Sequence, residues 1–152
     1  MDLSPDLIDV LEEFENFGVE YLVVGGWAVS THAQPRFTKD LDLWIGTSQA
    51  NLKKVIQALA AFGAPRELLR EAEQMTAEDF FFFGTPPARI DLLRSIPGVT
   101  FEDAWPRRER VRWGTMSVNL IALDDLIAAK RAAGRPQDLA DLKRLLAVKQ
   151  RE

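Results

Sequence analysis

The chain has 152 residues, 47% apolar and 28% charged, with a formal net charge of −4. This suits one soluble globular domain with a real hydrophobic core, and it argues against extensive binding to a nucleic-acid backbone, which requires a basic surplus. There are no cysteines and a single histidine, His32, so disulfides, thiolate zinc sites, a cysteine nucleophile and a multi-histidine metal site are excluded. Hard cations held by oxygen, magnesium or manganese, remain open.

The elements follow in chain order. Ser4 is a good N-cap with Pro5 in the first turn, and Leu7, Ile8, Leu11 and Phe14 recur at helical spacing up to Gly18. Leu3 and Ile8 are placed to staple that start. Residues 20–24 (EYLVV) are apolar on both faces, as in a strand buried on both sides. Gly25-Gly26 follows, and then a second helix over WAVSTHA. A strand, a glycine pair and a helix together bring backbone N–H groups to an anion.

Thr38 to Ile45 alternates polar and apolar residues, as a strand does. Thr47-Ser48 caps a helix that carries Leu52, Val55, Ile56, Leu59 and Phe62 and stops at Gly63. Residues 64–77 read as partial helix and loop. Phe80–Phe83 is a dense apolar run expected at the sheet centre, turned at Thr85-Pro86-Pro87 into a returning strand, Arg89–Leu93. Residues 95–115 read as irregular, with a short helix near Phe101–Arg110. Met116 to Ala122 is a further strand, and two helices finish the chain, over Asp124–Ala133 and Pro136 to about Lys149. The expected class is α+β (α/β), a small mixed β-sheet with helices packed on it. Residues 1–122 form the expected core, and residues 123–152 a helical pair packed on it.

Asp40 and Asp42 are two apart on the predicted strand, so their carboxylates share a face about 7 Å apart at the backbone. Like charges this close call for a cation between them. Asp91 stands inside the apolar string RIDLL, and a buried carboxylate needs a partner. If its strand lies beside the first, three acids converge on one site able to hold one or two metals for phosphoryl chemistry. The plainer alternative is an exposed strand face, with Asp91 paired to Arg89 or Arg94.

The string VVGGWAVSTHAQPRFTKDLDLWIG resembles the signature of the nucleotidyltransferase superfamily, the polymerase-beta-like fold: a glycine turn opening a helix, D-x-D on the next strand, and a distant third acid. Gly-Gly-x-Ala, followed by Arg-x-Thr-x-Asp-x-Asp and the final KRAAGRPQDLADLKRL, is similar to the small bacterial branch that includes AbiEii-type toxins and stand-alone domains. The resemblance covers about residues 19–146. It implies metal ligation by Asp40, Asp42 and Asp91, with Asp91 also a candidate base. It implies a phosphate cradle at Gly25 and Gly26. The serine of the more usual Gly-Ser turn is Gly26 here, which moves a hydroxyl–phosphate contact elsewhere, with Ser30 as the candidate. The chain is also shorter than the toxins of that branch, which leaves room for a partner chain.

Other residues stay open between two roles. Arg36, with Thr38 beside it, is placed for phosphate or for a surface acid. His32 suits a helix-end hydrogen bond better than a phosphate contact. Lys130 falls inside an apolar helical stripe, and an inward lysine needs an anion. That anion is the triphosphate of a nucleotide, or Asp138 on the next helix, or both. Arg135 reads as a residue at the start of that helix, and Asp141 as solvated. The run Arg107, Arg108, Arg110, Arg112 reads as a solvated helix face or a phosphate-contacting patch. The four tryptophans read as core or rim.

The expected function is Mg2+- or Mn2+-dependent transfer of a nucleoside monophosphate from a nucleoside triphosphate to an acceptor hydroxyl on a tRNA, a protein or a small molecule. The alternatives are a nucleotide-sensing or protein-binding module of a toxin–antitoxin type pair, and a nucleic-acid binder using the arginines at 107–112. No apolar run reaches membrane length, and the acidic start reads as a helix rather than a leader. The expected location is therefore cytoplasmic, by default.

Overall fold

A computed structural model describes residues 3–35, 40–76, 80–85 and 88–151. Helix α1 (Pro5–Asn16) opens as the proline at its first turn predicts. Ser4 is the N-cap residue by backbone conformation, but its side chain makes no cap hydrogen bond. The face that α1 buries is Leu7, Val10, Leu11 and Phe14, so Val10 takes the core place expected of Ile8.

Strands β1 (Tyr21–Val24) and β2 (Leu41–Ile45) run antiparallel, with Tyr21 opposite Ile45 and Val24 opposite Asp42. All four residues of β1 are buried, as a strand covered on both faces requires. Between them lies α2 (Gly25–His32). The helix starts on Gly25 itself rather than after the glycine pair, so both glycines belong to its first turn. Asp40 falls immediately ahead of β2 rather than within it.

Helix α3 (Gln49–Phe62) is capped by Ser48, whose hydroxyl accepts from the Asn51 N–H, and ends on Gly63 at φ 104°. The buried Asn51 ties two strand ends together: its side chain accepts from the Glu20 N–H at 2.7 Å and donates to the carbonyls of Glu20 and Gly46, each at 3.0 Å. Helix α4 (Arg66–Glu73) follows, then the hairpin strands β3 (Phe80–Phe83) and β4 (Ile90–Leu93). Helix α5 (Phe101–Ala104) runs into a short 3-10 turn at Trp105–Arg107. Strands β5 (Glu109–Trp113) and β6 (Met116–Leu120) form a second hairpin. Helices α6 (Leu123–Ala133) and α7 (Pro136–Lys149) close the chain and pack on each other.

The sheet is mixed and six-stranded, in the order β3-β4-β2-β1-β6-β5. β2 pairs in parallel with β4, and β1 in parallel with β6. Two expectations are corrected here. The phenylalanine run sits at the sheet edge, not its centre, and Phe82 is half exposed. Residues 109–113, expected to be irregular or helical, are a strand. Val111 and Trp113 are half-buried while Arg110 and Arg112 face solvent, an alternation that ends in a two-residue Gly114-Thr115 turn.

Candidate functional site

The register of β2 and β4 sets Asp42 directly opposite Asp91. The two carboxyls thus lie on one face of the ladder, each in the field of the other. Burial pushes the Asp42 carboxyl up to about 7. The charge and hydrogen bond of Asp91 and the charge of Asp40 add to the effect, and Lys130 opposes it. One carboxylate oxygen of Asp40 is buried with no hydrogen-bond partner.

Asp91 also accepts from Arg89 Nε at 2.9 Å, and the same nitrogen lies 4.0 Å from Asp40. Asp42 does not stand on an exposed strand face, while Asp91 does have an arginine. That arginine is Arg89 and not Arg94. Arg94 is buried and donates to the carbonyls of Met75 at 2.9 Å and Thr47 at 2.7 Å.

Gly25 explains the first half of the glycine pair. It has φ 66°, a conformation L side chains rarely adopt, and a Cβ there would run into the Asp42 carboxylate. The backbone at the start of α2 can approach Asp42 only because position 25 has no side chain. A cavity of about 220 Å³ opens beside this contact, lined by Gly25, Asp42, Ser95, Lys130, Arg135 and Asp138 among others. Gly26, Ser30, Asp40 and Asp91 do not line it. Ser30 is buried on α2. Arg36 and Thr38 lie outside the described residues.

The far wall of the cavity is an ion network between α6 and α7. Lys130 Nζ lies 3.2 Å from Asp138 and 3.1 Å from Asp141. Arg135 grips Asp138 with Nε at 2.6 Å and Nη2 at 3.2 Å, and Asp138 in turn accepts from the Arg135 backbone N–H. These cations hold the Asp138 carboxyl down at about 2. Asp141, expected to be solvated, is only 2% exposed. The apolar stripe does not reveal it, because the salt bridge to Lys130 is what draws it inward. Arg135 is also more than a residue at the helix start. Its signal in the sequence is its place three residues before Asp138, the spacing of a capping box.

The arginines at 107–112 are largely engaged within the protein. Arg107 is bidentate to the buried Asp125 at 3.0 and 2.8 Å. Arg110 is bidentate to Glu15 at 3.1 and 2.9 Å and also reaches Asn119. Arg108 donates to the Trp105 carbonyl and stacks 3.8 Å over its ring. The first three thus brace the fold. The His32 Nε2 lies 2.7 Å from the carbonyl oxygen of Ile121, just after β6, and 3.6 Å from the Glu109 carboxylate, a tertiary contact rather than the helix-end hydrogen bond expected of it. Trp44 is core, Trp27 packs on Trp113, and Trp105 stacks on Phe101.

The mixed sheet with its acid pair on adjacent parallel strands is a nucleotidyltransferase-like fold, as two solved structures show. The chain is similar to the lincosamide antibiotic adenylyltransferase LnuA in its lincomycin-bound form, with a TM-score of 0.56 and 16% identity over 97% of this chain and 99% of that one. It is also similar to an antigenic nucleotidyltransferase-like protein from Paracoccidioides brasiliensis, with a TM-score of 0.56 and 13% identity over 96% of this chain and 77% of that one. The chain belongs to the family described as nucleotidyltransferase of unknown function (DUF6036), whose model matches residues 6–150. No curated protein matches it significantly. No helix among the described residues is long and apolar enough to cross a membrane.

Proposed function

We propose that this nucleotidyltransferase moves a nucleoside monophosphate from a nucleoside triphosphate to an acceptor hydroxyl at the Asp42 cavity, with Mg2+ or Mn2+. The observation that carries the reading is the Asp42–Asp91 pairing across β2 and β4, set against Gly25 at the start of α2. Among the described residues, no three acidic or histidine side chains already stand in a metal-ligand arrangement. The donor set nevertheless fits a hard cation. Asp40 has a buried oxygen without a partner, and the Asp42 carboxyl is raised to about 7, by burial first and then by the acids Asp91 and Asp40, whose repulsion a divalent ion would offset. Asp40 and Asp42 are the proposed ligands and Asp91 completes them. When bound, the ion neutralises charge on the transferring phosphate and the leaving pyrophosphate.

The chain's own groups do the rest. Asp91 takes the proton of the acceptor hydroxyl. Gly25 and Gly26 offer first-turn N–H groups of α2 to the phosphates. Lys130 and Arg135 set positive charge on the opposite wall. Asp138, its carboxylate fully engaged by those two cations, serves the nucleotide by holding them. Arg36 and Thr38 are proposed phosphate contacts on the strength of the sequence alone, and Ser30, buried on α2 away from the cavity lining, is not placed to share them. In this reading residues 1–122 are the catalytic core, and residues 123–152 are a helical pair that delivers Lys130 and Asp138.

LnuA matches over nearly its whole chain, and it is an adenylyltransferase crystallised with a small antibiotic. This supports ATP as the first donor and small-molecule hydroxyls as the first acceptors to test, ahead of a tRNA or a protein. The test is calorimetric binding of the four nucleoside triphosphates with Mg2+, on wild type and on Asp40→Ala/Asp42→Ala. Binding that requires both the metal and the acids is expected. Equal binding by the double variant, or binding of no nucleotide, overturns the reading. The contact of Arg89 with Asp91, which balances part of the acid charge without a metal, favours one second reading: a module that senses nucleotide or binds a partner protein without turnover. Co-purification of a partner together with absent turnover would support it.

A further inference from the structure

Arg89 occupies the ground between the acids. Its Nε is 2.9 Å from Asp91 and 4.0 Å from Asp40, and its guanidinium carbon lies 4.2 Å over the ring of Phe82. Phe82 faces Asp91 across the β3–β4 ladder, so the ring is a platform at the mouth of the acid cluster. The backbone of Arg89 is pinned, because its carbonyl accepts from the Leu41 N–H at 3.0 Å. Its side chain is 30% exposed and is therefore the part free to leave. A guanidinium and a divalent ion cannot both lie among three carboxylates without mutual repulsion.

We propose that Arg89 is a resident counter-cation that competes with the metal: the ion binds as the guanidinium leaves Asp91, Asp40 and the Phe82 ring for solvent. The inference rests on the metal-site reading above and adds to it a gate built from the chain's own side chain.

The test is Mn2+ binding, read from the free-ion electron paramagnetic resonance signal, for wild type, Arg89→Gln and Arg89→Lys, with Mn2+ alone and with a non-hydrolysable ATP analogue. Arg89→Gln should bind Mn2+ more tightly, on the order of fivefold for the loss of one partly exposed ion pair. Arg89→Lys, which keeps the charge, should stay near wild type. Unchanged or weaker binding by Arg89→Gln overturns the gate and makes Arg89 an organiser of the acids instead. No Mn2+ binding by any protein overturns the metal site, and the gate with it. If circular dichroism shows that Arg89→Gln does not fold, Phe82→Ala is read in its place. Removing the ring under the guanidinium should also tighten Mn2+ binding, and unchanged affinity there overturns the gate.

Discussion

Two clusters of aspartates line or adjoin one cavity, and they differ in how their charge is balanced. Between α6 and α7, Asp138 and Asp141 meet Lys130 and Arg135 at 2.6–3.2 Å, two acids against two cations. At the sheet, Asp40, Asp42 and Asp91 share one nearby arginine among the described residues, Arg89, with Lys130 contributing from the far wall. The same residue type moves in opposite directions from the same starting value of 3.8: Asp138 falls to about 2 and Asp42 rises to about 7. The helical cluster is satisfied by the fold itself. Among the described residues the sheet cluster has less positive charge beside it, and a bound cation would offset the repulsion between its acids. Perturbed acids in a cleft mark functional positions for this reason.

The largest expected effect comes from breaking the unsatisfied cluster. Asp42→Asn should lower turnover by at least about a thousandfold, since loss of a ligand removes several kcal/mol of charge stabilisation. The same change should raise the thermal stability of the metal-free protein, because an amide can still hydrogen-bond to Asp91 and no longer repels it. Steady-state rates and melting curves on one preparation decide the matter. A variant that loses stability along with activity would make Asp42 a structural acid like Asp138.

Breaking the satisfied cluster should do the reverse. Lys130→Met leaves Asp138 and Asp141 buried with one cation fewer, a loss of about 3–5 kcal/mol for an uncompensated buried charge. Urea unfolding measures it. A loss below about 1 kcal/mol would show that Arg135 alone balances both acids, and that Lys130 is held for the nucleotide instead.

Much of this contrast is legible in the amino-acid order. The D-x-D triplet, the acid in RIDLL and the inward Lys130 each stand out as a polar group where periodicity demands an apolar one. The strand pairing that makes Asp42 face Asp91 can be read from the sequence only as a condition, because which strands neighbour each other is a tertiary fact. For the same reason the run Phe80–Phe83 reads as a central strand and is an edge one. Its apolarity reflects packing on one side, with Phe81 buried and Phe82 half exposed, while the alternation in β5 is hidden behind its arginines. Asp141 misleads because a helical wheel scores position and not partner, and a salt bridge can bury what the wheel leaves at the edge.

Gly25 links the two clusters' cavity to the sheet, and Gly25→Ala is the next largest effect. The residue has φ 66°, and a methyl group would strike the Asp42 carboxylate, so a destabilisation on the order of 3 kcal/mol is expected. Nucleotide affinity should fall with it, since Asp42 is the group displaced. Gly134, also at φ 66° but with only an ordinary van der Waals contact for a methyl group, the Arg131 carbonyl oxygen at 3.8 Å, is the control. Gly134→Ala should show the backbone strain alone, on the order of 1 kcal/mol, with nucleotide affinity intact. Equal losses of affinity in the two variants would show that no specific contact with Asp42 is involved.

The smallest effect sharpens the comparison through pH. The Asp138 carboxyl is lowered in the folded protein, first by the Arg135 hydrogen bond and then by Lys130. Between about 2 and 3.8 the unfolded chain therefore binds more protons at this position than the folded one, and stability rises with pH across that window. The stabilisation is complete above 3.8 and is lost as pH falls through about 2, an amount of roughly 2 kcal/mol. Other carboxylates titrate in the same range, so the useful quantity is the difference in unfolding free energy between wild type and Asp138→Asn. That difference should be widest near pH 5 and shrink steadily toward about pH 2. A difference that stays constant would mean Asp138 is held by burial and geometry rather than by charge, and the balance of two acids against two cations would no longer distinguish this cluster from the one on the sheet.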